Sequence, residues 1–128
     1  MESAFTAEEQ AAILTTVVDN GPLQGIDDGA NGGNSTLCKI FLLSAAEADR
    51  YFETEEEFQT NPTPYAIKQG ADSENENNYW WLRSPGERQD SAAYAYCDFL
   101  SFGDFCYVDS ENMGVRPALC VDLSSIIF

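Results

Sequence analysis

The sequence contains no histidine, and only six of its 128 residues are Lys or Arg. Without histidine, the chain lacks the side chain that most often serves as a general base near neutral pH and as a neutral metal ligand. With 22 acidic residues, the formal net charge is -16. This charge argues against nucleic-acid binding, which needs Lys and Arg to replace phosphate counterions, and against anionic membrane surfaces. Its simplest interpretation is that it keeps the protein soluble and monomeric.

Long apolar runs are also missing. No stretch reaches the roughly 20 apolar residues that a membrane-spanning helix needs, and the first nine residues carry acids where a secretory signal would carry bases. We therefore expect neither a signal peptide nor membrane insertion, which fits a cytoplasmic protein or a component of a phage particle or cell surface. The hydrophobic fraction of 44% is ample for a core, and the length predicts a single domain over residues 1–128.

The cysteines and one acidic pair are the remaining candidates for metal or cofactor chemistry. The four cysteines lie 59, 9 and 14 residues apart, so none forms a paired C-x-x-C metal signature. Single cysteines in apolar stretches are typical of small buried hydrophobes; a disulfide between Cys97 and Cys106 is the less favoured alternative. Asp27 and Asp28 lie in a glycine-rich loop without the alternating ligands and closing glutamate of a calcium site. We expect no metal ion and no cofactor.

Helical signals are concentrated in the first half of the chain. Residues 6–9 and 44–47 each form a capping box, in which a hydroxyl and a glutamate satisfy backbone N–H groups. The apolar spacing after the first box predicts a helix over residues 6–18. Residues 63–64 supply an N-cap and an N1 proline, and Gly70 ends one further short helix. The helix after the second box carries three apolar residues on one face: Ala48, Tyr51 and Phe52.

Strand signals predominate after residue 79. A glycine-rich loop over 20–36 and a short strand over 38–43 precede them, and Ser84-Pro85-Gly86 is the first predicted turn of the second half. The predicted strands of the second half cover residues 79–83, 92–99, 104–109 and 115–123. In the last of these, Leu119, Val121 and Leu123 share one face by two-residue alternation. Helices followed by antiparallel strands indicate an α+β domain.

Three motifs resemble a widespread bacterial and phage domain family of unassigned function. They are Lys39-Ile-Phe-Leu-Leu-Ser44, Trp80-Trp-Leu-Arg-Ser-Pro-Gly86 and Gly114-Val-Arg-Pro-Ala-Leu119. That family is similar to the C-type-lectin-like fold in its formylglycine-generating-enzyme variety. The resemblance implies N-terminal helices packed on a small, mostly antiparallel sheet with long loops. Relatives usually carry a further segment before the first helix, which would make this chain a shortened version.

The residues of these motifs also have physical roles. Trp80 and Trp81 should point to opposite sides of one strand, so that one of them anchors the core. Arg83 and Arg116 lie beside predicted turns, where an arginine commonly holds loop carbonyls or carboxylates through its planar fork. We prefer this structural role for both arginines; the alternative is that one of them clamps a ligand.

The segment from Tyr94 to Tyr107 is unusually rich in aromatic residues, which make up six of its fourteen positions. Alternation would place bulky side chains on both faces of a strand. A strand buried on both faces is one interpretation. However, aspartate and serine recur within the segment, and buried carboxylates are costly. An exposed aromatic patch is typical of a recognition surface, to which tyrosine gives contact area at little entropic cost.

Relatives of this fold include the variable proteins of diversity-generating retroelements, in which adenine mutagenesis of a template gives codons that end in C. Such codons never encode Lys, Glu, Gln, Met or Trp, and ten residues before the last motif obey that restriction. They are Tyr96, Cys97, Asp98, Phe99, Ser101, Phe102, Asp104, Phe105, Cys106 and Tyr107. Leu100, Gly103 and Val108 would form the fixed framework between them. With Tyr94 and Asp109 added, these residues are the predicted ligand-binding set within a variable segment over 94–112.

The resemblance implies a non-catalytic, receptor- or adhesion-type protein that displays a hypervariable aromatic surface to a protein or glycan ligand on a host or target cell. The first alternative is a thiol and copper oxidoreductase of the formylglycine-generating type, with Cys97 and Cys106 as its thiols. No neighbouring base suggests a lowered thiol pKa, so this alternative is less favoured. The second alternative is an undiversified adhesion module of the same fold.

Overall fold

The computed structural model describes residues 4–23, 29–72, 79–96 and 105–125. Four helices, five strands and a final 3-10 turn follow one another in this part of the chain, which is an α+β arrangement. The helices are α1 (Ala7–Ala12), α2 (Ala45–Tyr51), α3 (Glu55–Phe58) and α4 (Pro64–Lys68). The strands are β1 (Thr16–Val18), β2 (Thr36–Cys38), β3 (Trp80–Pro85), β4 (Ser91–Ala95) and β5 (Phe105–Tyr107), and the 3-10 turn covers Leu123–Ser125.

Both predicted capping boxes are confirmed. At the start of α1 the Glu9 carboxylate accepts from the Thr6 N–H at 2.7 Å, and the Thr6 hydroxyl accepts from the Glu9 N–H at 3.2 Å. Ser44 and Glu47 make the same reciprocal pair at 2.8 and 3.1 Å at the start of α2. These bonds involve residues only three positions apart, so the local sequence determines them.

The predicted helix over residues 6–18 is wrong in length, because α1 ends at Ala12. After it the chain forms a bridge between Ile13 and Val121 and then pairs through β1 with β2. Residues 15–18 have the sequence Thr-Thr-Val-Val, and such a run of β-branched side chains favours an extended backbone over a helix. The predicted strand over 38–43 is likewise displaced, since β2 covers Thr36–Cys38.

Of the two shortest helices, α3 and α4, the sequence predicted only α4. The predicted helix before Gly70 is confirmed as α4: the Thr63 hydroxyl accepts from the Ala66 N–H at 3.1 Å, and Gly70 adopts a φ of 105°. That left-handed conformation is one that glycine adopts without steric cost. Helix α3 was not predicted, because a single turn of four residues carries too little periodicity to detect. On α2, Ala48 is buried and Phe52 is half-buried behind it, but Tyr51 is 59% exposed.

The central sheet has the order β3-β4-β5, with both strand pairs antiparallel. Strand β3 continues through Pro85, so the predicted turn at residues 84–86 begins later. Gly86 starts the turn, donating its N–H to the Ser91 carbonyl at 2.9 Å. A side chain at Gly86 would collide with Ser91. Residues 97–104 lie outside the described part of the chain. They include the end of the predicted strand over 92–99 and the start of the one over 104–109.

The predicted strand over residues 115–123 is wrong. Gly114 and this segment together make three isolated bridges instead, to Trp80 through Gly114, to Phe41 through Ala118 and to Ile13 through Val121. Because its partners belong to three different parts of the chain, no continuous ladder forms among the described residues, and Pro117 has no N–H to donate to one. Leu123 begins the 3-10 turn and is 69% exposed, so the predicted two-residue alternation with Leu119 and Val121 does not extend to it.

The core lies between α2, α3 and one face of the central sheet. Its buried residues are Ala45, Ala48, Phe58, Trp80, Leu82, Ala93 and Ala95. The Trp80 indole N–H donates to the Phe58 carbonyl at 3.2 Å, and the Phe52 ring meets the Phe58 ring edge-on at 4.9 Å between centroids. Alanines at four of these positions let the helix and sheet backbones approach closely around one large tryptophan.

Candidate functional site

The two faces of β3 and β4 differ sharply in burial. Along β3, buried and half-buried residues alternate from Trp80 to Pro85, and Ala93 and Ala95 supply the buried positions of β4. Trp80 lies opposite Ala95 in the register, and Trp81 lies opposite Tyr94. Because directly opposed residues share a face, Trp80 and Ala95 belong to the core face, and Trp81 and Tyr94 belong to the other. We call the second face the outer face.

Three tyrosines meet at the outer face. The Tyr79 ring stacks on the Tyr96 ring at 4.4 Å between centroids with an interplanar angle of 15°, and it meets the Tyr94 ring edge-on at 5.5 Å. All three tyrosines are half-buried, as is Trp81. We call Tyr79, Tyr94 and Tyr96 the tyrosine cluster. Such ring geometries add about 0.5–1.5 kcal/mol per pair beyond area burial, so the cluster is an ordered platform with part of its surface in solvent.

The backbone holds this platform beside the third motif. Tyr79 accepts a hydrogen bond through its carbonyl from the Gly114 N–H at 2.8 Å, and the Trp81 N–H donates to the Gly114 carbonyl at 3.0 Å. A Cβ at Gly114 would lie 3.1 Å from the Tyr79 carbonyl oxygen, tighter than most contacts of this kind. The glycine of the third motif therefore permits the close approach that fixes the first ring of the cluster.

Strand β5 carries three predicted site residues into different surroundings. Phe105 is half-buried and packs against the core cluster, opposite Ala93 in the register. Cys106 lies opposite Ala92, and its Sγ is 3.0 Å from the Ser110 Oγ. Tyr107 is 58% exposed. Beyond the strand, Asp109 is exposed as well.

The structure thus brings together part of the predicted ligand-binding set. Tyr94 and Tyr96 meet through Tyr79, whereas Phe105 packs on the opposite side, against the core. The remaining predicted residues lie outside the described part of the chain: Cys97, Asp98, Phe99, Ser101, Phe102 and Asp104. Sequence reasoning did not assign Tyr79 and Trp81 to this surface, since their position depends on the register between β3 and β4.

Arg83 has the structural role that the sequence predicted. Its guanidinium donates to the Asp19 carbonyl at 3.0 Å, to the Leu42 carbonyl, and to the Glu47 carboxylate at 3.0 Å. Only 12% of its side chain is exposed. Desolvation alone would raise the pKa of Glu47, but hydrogen bonds from Arg83 and from the Ser44 backbone outweigh it, and the pKa lies below its ordinary value. The pair therefore ties α2, β3 and the residue 42 backbone together.

Arg116 is also engaged within the fold. Its guanidinium carbon lies 4.6 Å from the Phe52 ring centroid and 5.1 Å from that of Trp80, and Nη1 donates to the Glu57 carbonyl at 2.9 Å. Burial lowers the pKa of Arg116 from its ordinary value, which is so high that the group stays charged. Arg116 therefore covers the edge of the core beside α3.

The described residues offer little for metal or redox chemistry. Cys38, Cys106 and Cys120 are free thiols. Within the ranges that the structure describes, no three His, Cys, Asp or Glu side chains come together as metal ligands. Asp27, Asp28 and Cys97, which the sequence raised as calcium and thiol candidates, lie outside those ranges. In the same described ranges, no helix has both the length and the apolar character needed to cross a bilayer.

Comparison with known proteins identifies the family of the chain. No curated protein and no solved structure is significantly similar to it. The family model of a domain of unknown function, DUF6273, matches residues 1–123, which include helices α1 to α4, strands β1 to β5 and the tyrosine cluster. The chain therefore belongs to the DUF6273 family.

Proposed function

We propose that this protein is a non-catalytic binding domain of C-type-lectin-like fold, and that the outer face of its central sheet contacts a protein or glycan ligand. The observation that carries the proposal is the contrast within β3 and β4. One face holds the buried residues Trp80, Leu82 and Ala95, while the other holds an ordered but only half-buried tyrosine cluster. Exposed aromatic platforms are typical of recognition surfaces.

Electrostatics and local chemistry support binding over catalysis. The sequence has no histidine, and among the described residues the half-buried thiol of Cys106 has the Ser110 hydroxyl as its hydrogen-bond partner. Arg83, the cation of β3, is engaged by backbone carbonyls and a carboxylate and is not available to a substrate. A binding surface needs rigid rings for affinity and polar groups for discrimination, and Asp109 is an exposed acid of the predicted ligand-binding set.

The C-type-lectin-like assignment rests on the resemblance of the three motifs and on their positions. Helices precede a small antiparallel sheet, and long connections join few regular elements. Two of the motifs meet at the same place, because the backbone of Gly114 pairs with Tyr79 and Trp81. A scaffold of this kind presents loop and strand residues that can change while the frame stays folded.

We further propose that the surface is diversified, as in the variable proteins of diversity-generating retroelements. Tyr96 and Tyr107 are the first and last of the ten predicted variable positions, and their rings are half-buried and exposed respectively. The gene provides the test: codons ending in C at all ten predicted positions, with a template repeat and a reverse transcriptase nearby, are expected. Ordinary codon usage and no such neighbours would leave the second alternative, a fixed adhesion module of the same fold.

The binding proposal is tested with a panel of purified cell-surface proteins and glycans. For a ligand that the parent binds, the Tyr96→Ala variant should lose roughly 30-fold or more in affinity, since one aromatic hot spot contributes about 2 kcal/mol or more. The matched control is Tyr65→Ala, which removes an exposed tyrosine from α4. Equal affinity of the two variants for that ligand would contradict the proposal.

A further inference from the structure

The connection from β5 to Gly114 borders the outer face. Cys106 lies opposite Ala92 in the register, and Ala92 shares its face with Tyr94 by two-residue alternation. Cys106 therefore belongs to the outer face as well. Its Sγ is 3.0 Å from the Ser110 Oγ, which places Ser110 on the outer-face side of β5. At its other end the connection pairs with β3 through the Gly114 backbone, so both ends adjoin the outer face.

Two acidic residues of this connection are exposed to solvent. Asp109 and Glu111 are the sequence neighbours of Ser110, and both are exposed. The described ranges include all six Lys and Arg residues of the chain. Within these ranges the ion pairs are those of Arg83 and Arg88, and neither involves Asp109 or Glu111. The border of the outer face therefore carries two carboxylates that the bases of the chain do not neutralise.

The bases of the central sheet and its hairpin turn are already engaged. Arg83 is held by backbone carbonyls and by Glu47. Arg88, in the turn between β3 and β4, pairs with Asp90 at 3.0 Å. The net charge of the chain is -16, and a field of this sign attracts cations and repels anions. A ligand with positive charge is therefore favoured, and a glycan with acidic sugars is disfavoured.

The tyrosine cluster suits a cationic group of one particular shape. The face of an aromatic ring attracts a cation placed over it. The planar guanidinium of arginine stacks on rings and also donates to carboxylates through its fork. The fold itself contains such a contact, because the Arg116 guanidinium carbon lies 4.6 Å from the Phe52 ring centroid while its Nη1 donates to the Glu57 carbonyl. A neutral glycan can use the rings but gains nothing from the net charge.

We propose, on the basis of the proposed function, that the ligand of the outer face is a protein segment that presents arginine. Its guanidinium contacts the tyrosine cluster, and the carboxylates of Asp109 and Glu111 complement its charge at the border. Of the two ligand classes, protein and glycan, this chemistry selects protein.

The probe is a short glycine peptide that carries two arginines. A matched peptide carries citrulline, the uncharged isostere of arginine, at the same two positions. In about 0.15 M salt, where long-range attraction is screened, the full chain should bind the arginine peptide about tenfold more tightly than the citrulline peptide. Tyr96→Ala should remove most of this difference, because the guanidinium loses the ring face it contacts. Titration followed by NMR measures both affinities, and the melting temperature checks that the variant is folded.

A pair of charge variants separates the border carboxylates from the net charge. Asp109→Asn/Glu111→Gln should weaken binding of the arginine peptide about fivefold, since charges within a screening length of about 8 Å act most strongly on the bound cation. Glu55→Gln/Glu56→Gln is the matched control. It removes the same charge from exposed positions of α3, which packs on the core side of the sheet through Phe58. This control should change the affinity less than about twofold.

Three results would overturn the inference: equal affinity for the arginine and citrulline peptides, equal losses in the two charge variants, or an arginine preference that survives Tyr96→Ala. Failure of the proposed function is distinguishable from these. If a glycan or an uncharged peptide binds and loses its affinity in Tyr96→Ala, the outer face is a binding surface, but arginine is not what it recognises. If no protein, glycan or peptide shows binding that depends on Tyr96, the proposed function fails together with the inference.

Discussion

Trp80 and Trp81 are neighbours in sequence, yet they belong to two regions of the molecule with different tasks. Trp80 is 1% exposed, donates to the Phe58 carbonyl and lies under the Arg116 guanidinium. Trp81 lies on the outer face, opposite Tyr94 and beside the tyrosine cluster. The alternation of a β-strand separates them. The two identical side chains therefore have different roles: Trp80 stabilises the core, and Trp81 forms part of the outer face.

Under the proposed function, this difference explains how the domain would combine stability with a changeable surface. On the core face, alanines pack closely around one tryptophan, and a change there leaves a cavity or removes the indole hydrogen bond. The outer face uses tyrosines whose rings contact each other and solvent. Substitutions on the core face should therefore affect unfolding most, and substitutions on the outer face should affect binding most.

The largest expected effect is that of Trp80→Ala. The change removes a buried indole and leaves the Phe58 carbonyl without its indole donor. We expect a loss of about 3–5 kcal/mol in the free energy of unfolding, measured by urea denaturation. Trp81→Ala is the matched control and should cost markedly less. Equal losses in the free energy of unfolding for the two variants would show that the two faces do not differ in their contribution to stability.

Phe105→Ala should have an intermediate effect. Phe105 is half-buried against the core cluster, although it also belongs to the predicted variable positions. We expect a loss of about 1–3 kcal/mol in the free energy of unfolding, and Phe105→Leu should recover much of it because an apolar side chain still fills the site. If Phe105→Ala leaves the free energy of unfolding unchanged within experimental error, the ring contributes to the surface and not to the core.

The pair of Glu47 and Arg83 should give a smaller effect that depends on pH. The pKa of Glu47 is lower in the folded protein than its ordinary value of 4.5. The stabilisation that the ionised Glu47 carboxylate provides is therefore complete above the ordinary pKa, and it is lost as the pH falls through the lower pKa of the folded protein. We expect Glu47→Gln to lower the free energy of unfolding by about 1 kcal/mol at pH 7, with the difference shrinking below about pH 5.

Urea denaturation at several pH values measures this effect. Glu56→Gln, which removes the same charge from an exposed position of α3, is the control. A Glu47→Gln difference that grows as the pH falls would contradict the assigned direction of the shift. This measurement separates the contribution of the Glu47–Arg83 pair to the free energy of unfolding from the contribution of the aromatic rings.

The features that the sequence predicted well are the local ones. The capping boxes at Thr6 and Ser44 and the glycine after α4 depend on residues three to seven positions apart, and all three are confirmed. The alternation that separates Trp80 from Trp81 is also local. By contrast, the bridge that Ile13 makes directly after α1 depends on Val121, more than a hundred residues away, and no periodicity in the first helix indicates it.

The candidate site was predictable only in part for the same reason. The aromatic segment was evident from composition, and the places of Tyr94 and Tyr96 in the site followed from it. The contribution of Tyr79 depends on the pairing of β3 with β4 and on Gly114, and Phe105 turns inward because it opposes Ala93. These are register effects, which a sequence specifies only through the whole sheet.

The most direct test of the central claim measures both the melting and the ligand binding of Tyr96→Ala, beside Trp80→Ala. The account predicts that the tyrosine variant melts within a few degrees of the parent, since it loses no more than about 1–2 kcal/mol, while its affinity for the ligand falls by more than an order of magnitude. A fall in melting temperature as large as that of Trp80→Ala, with unchanged affinity of the folded protein, would show that the outer face belongs to the core and would contradict the account.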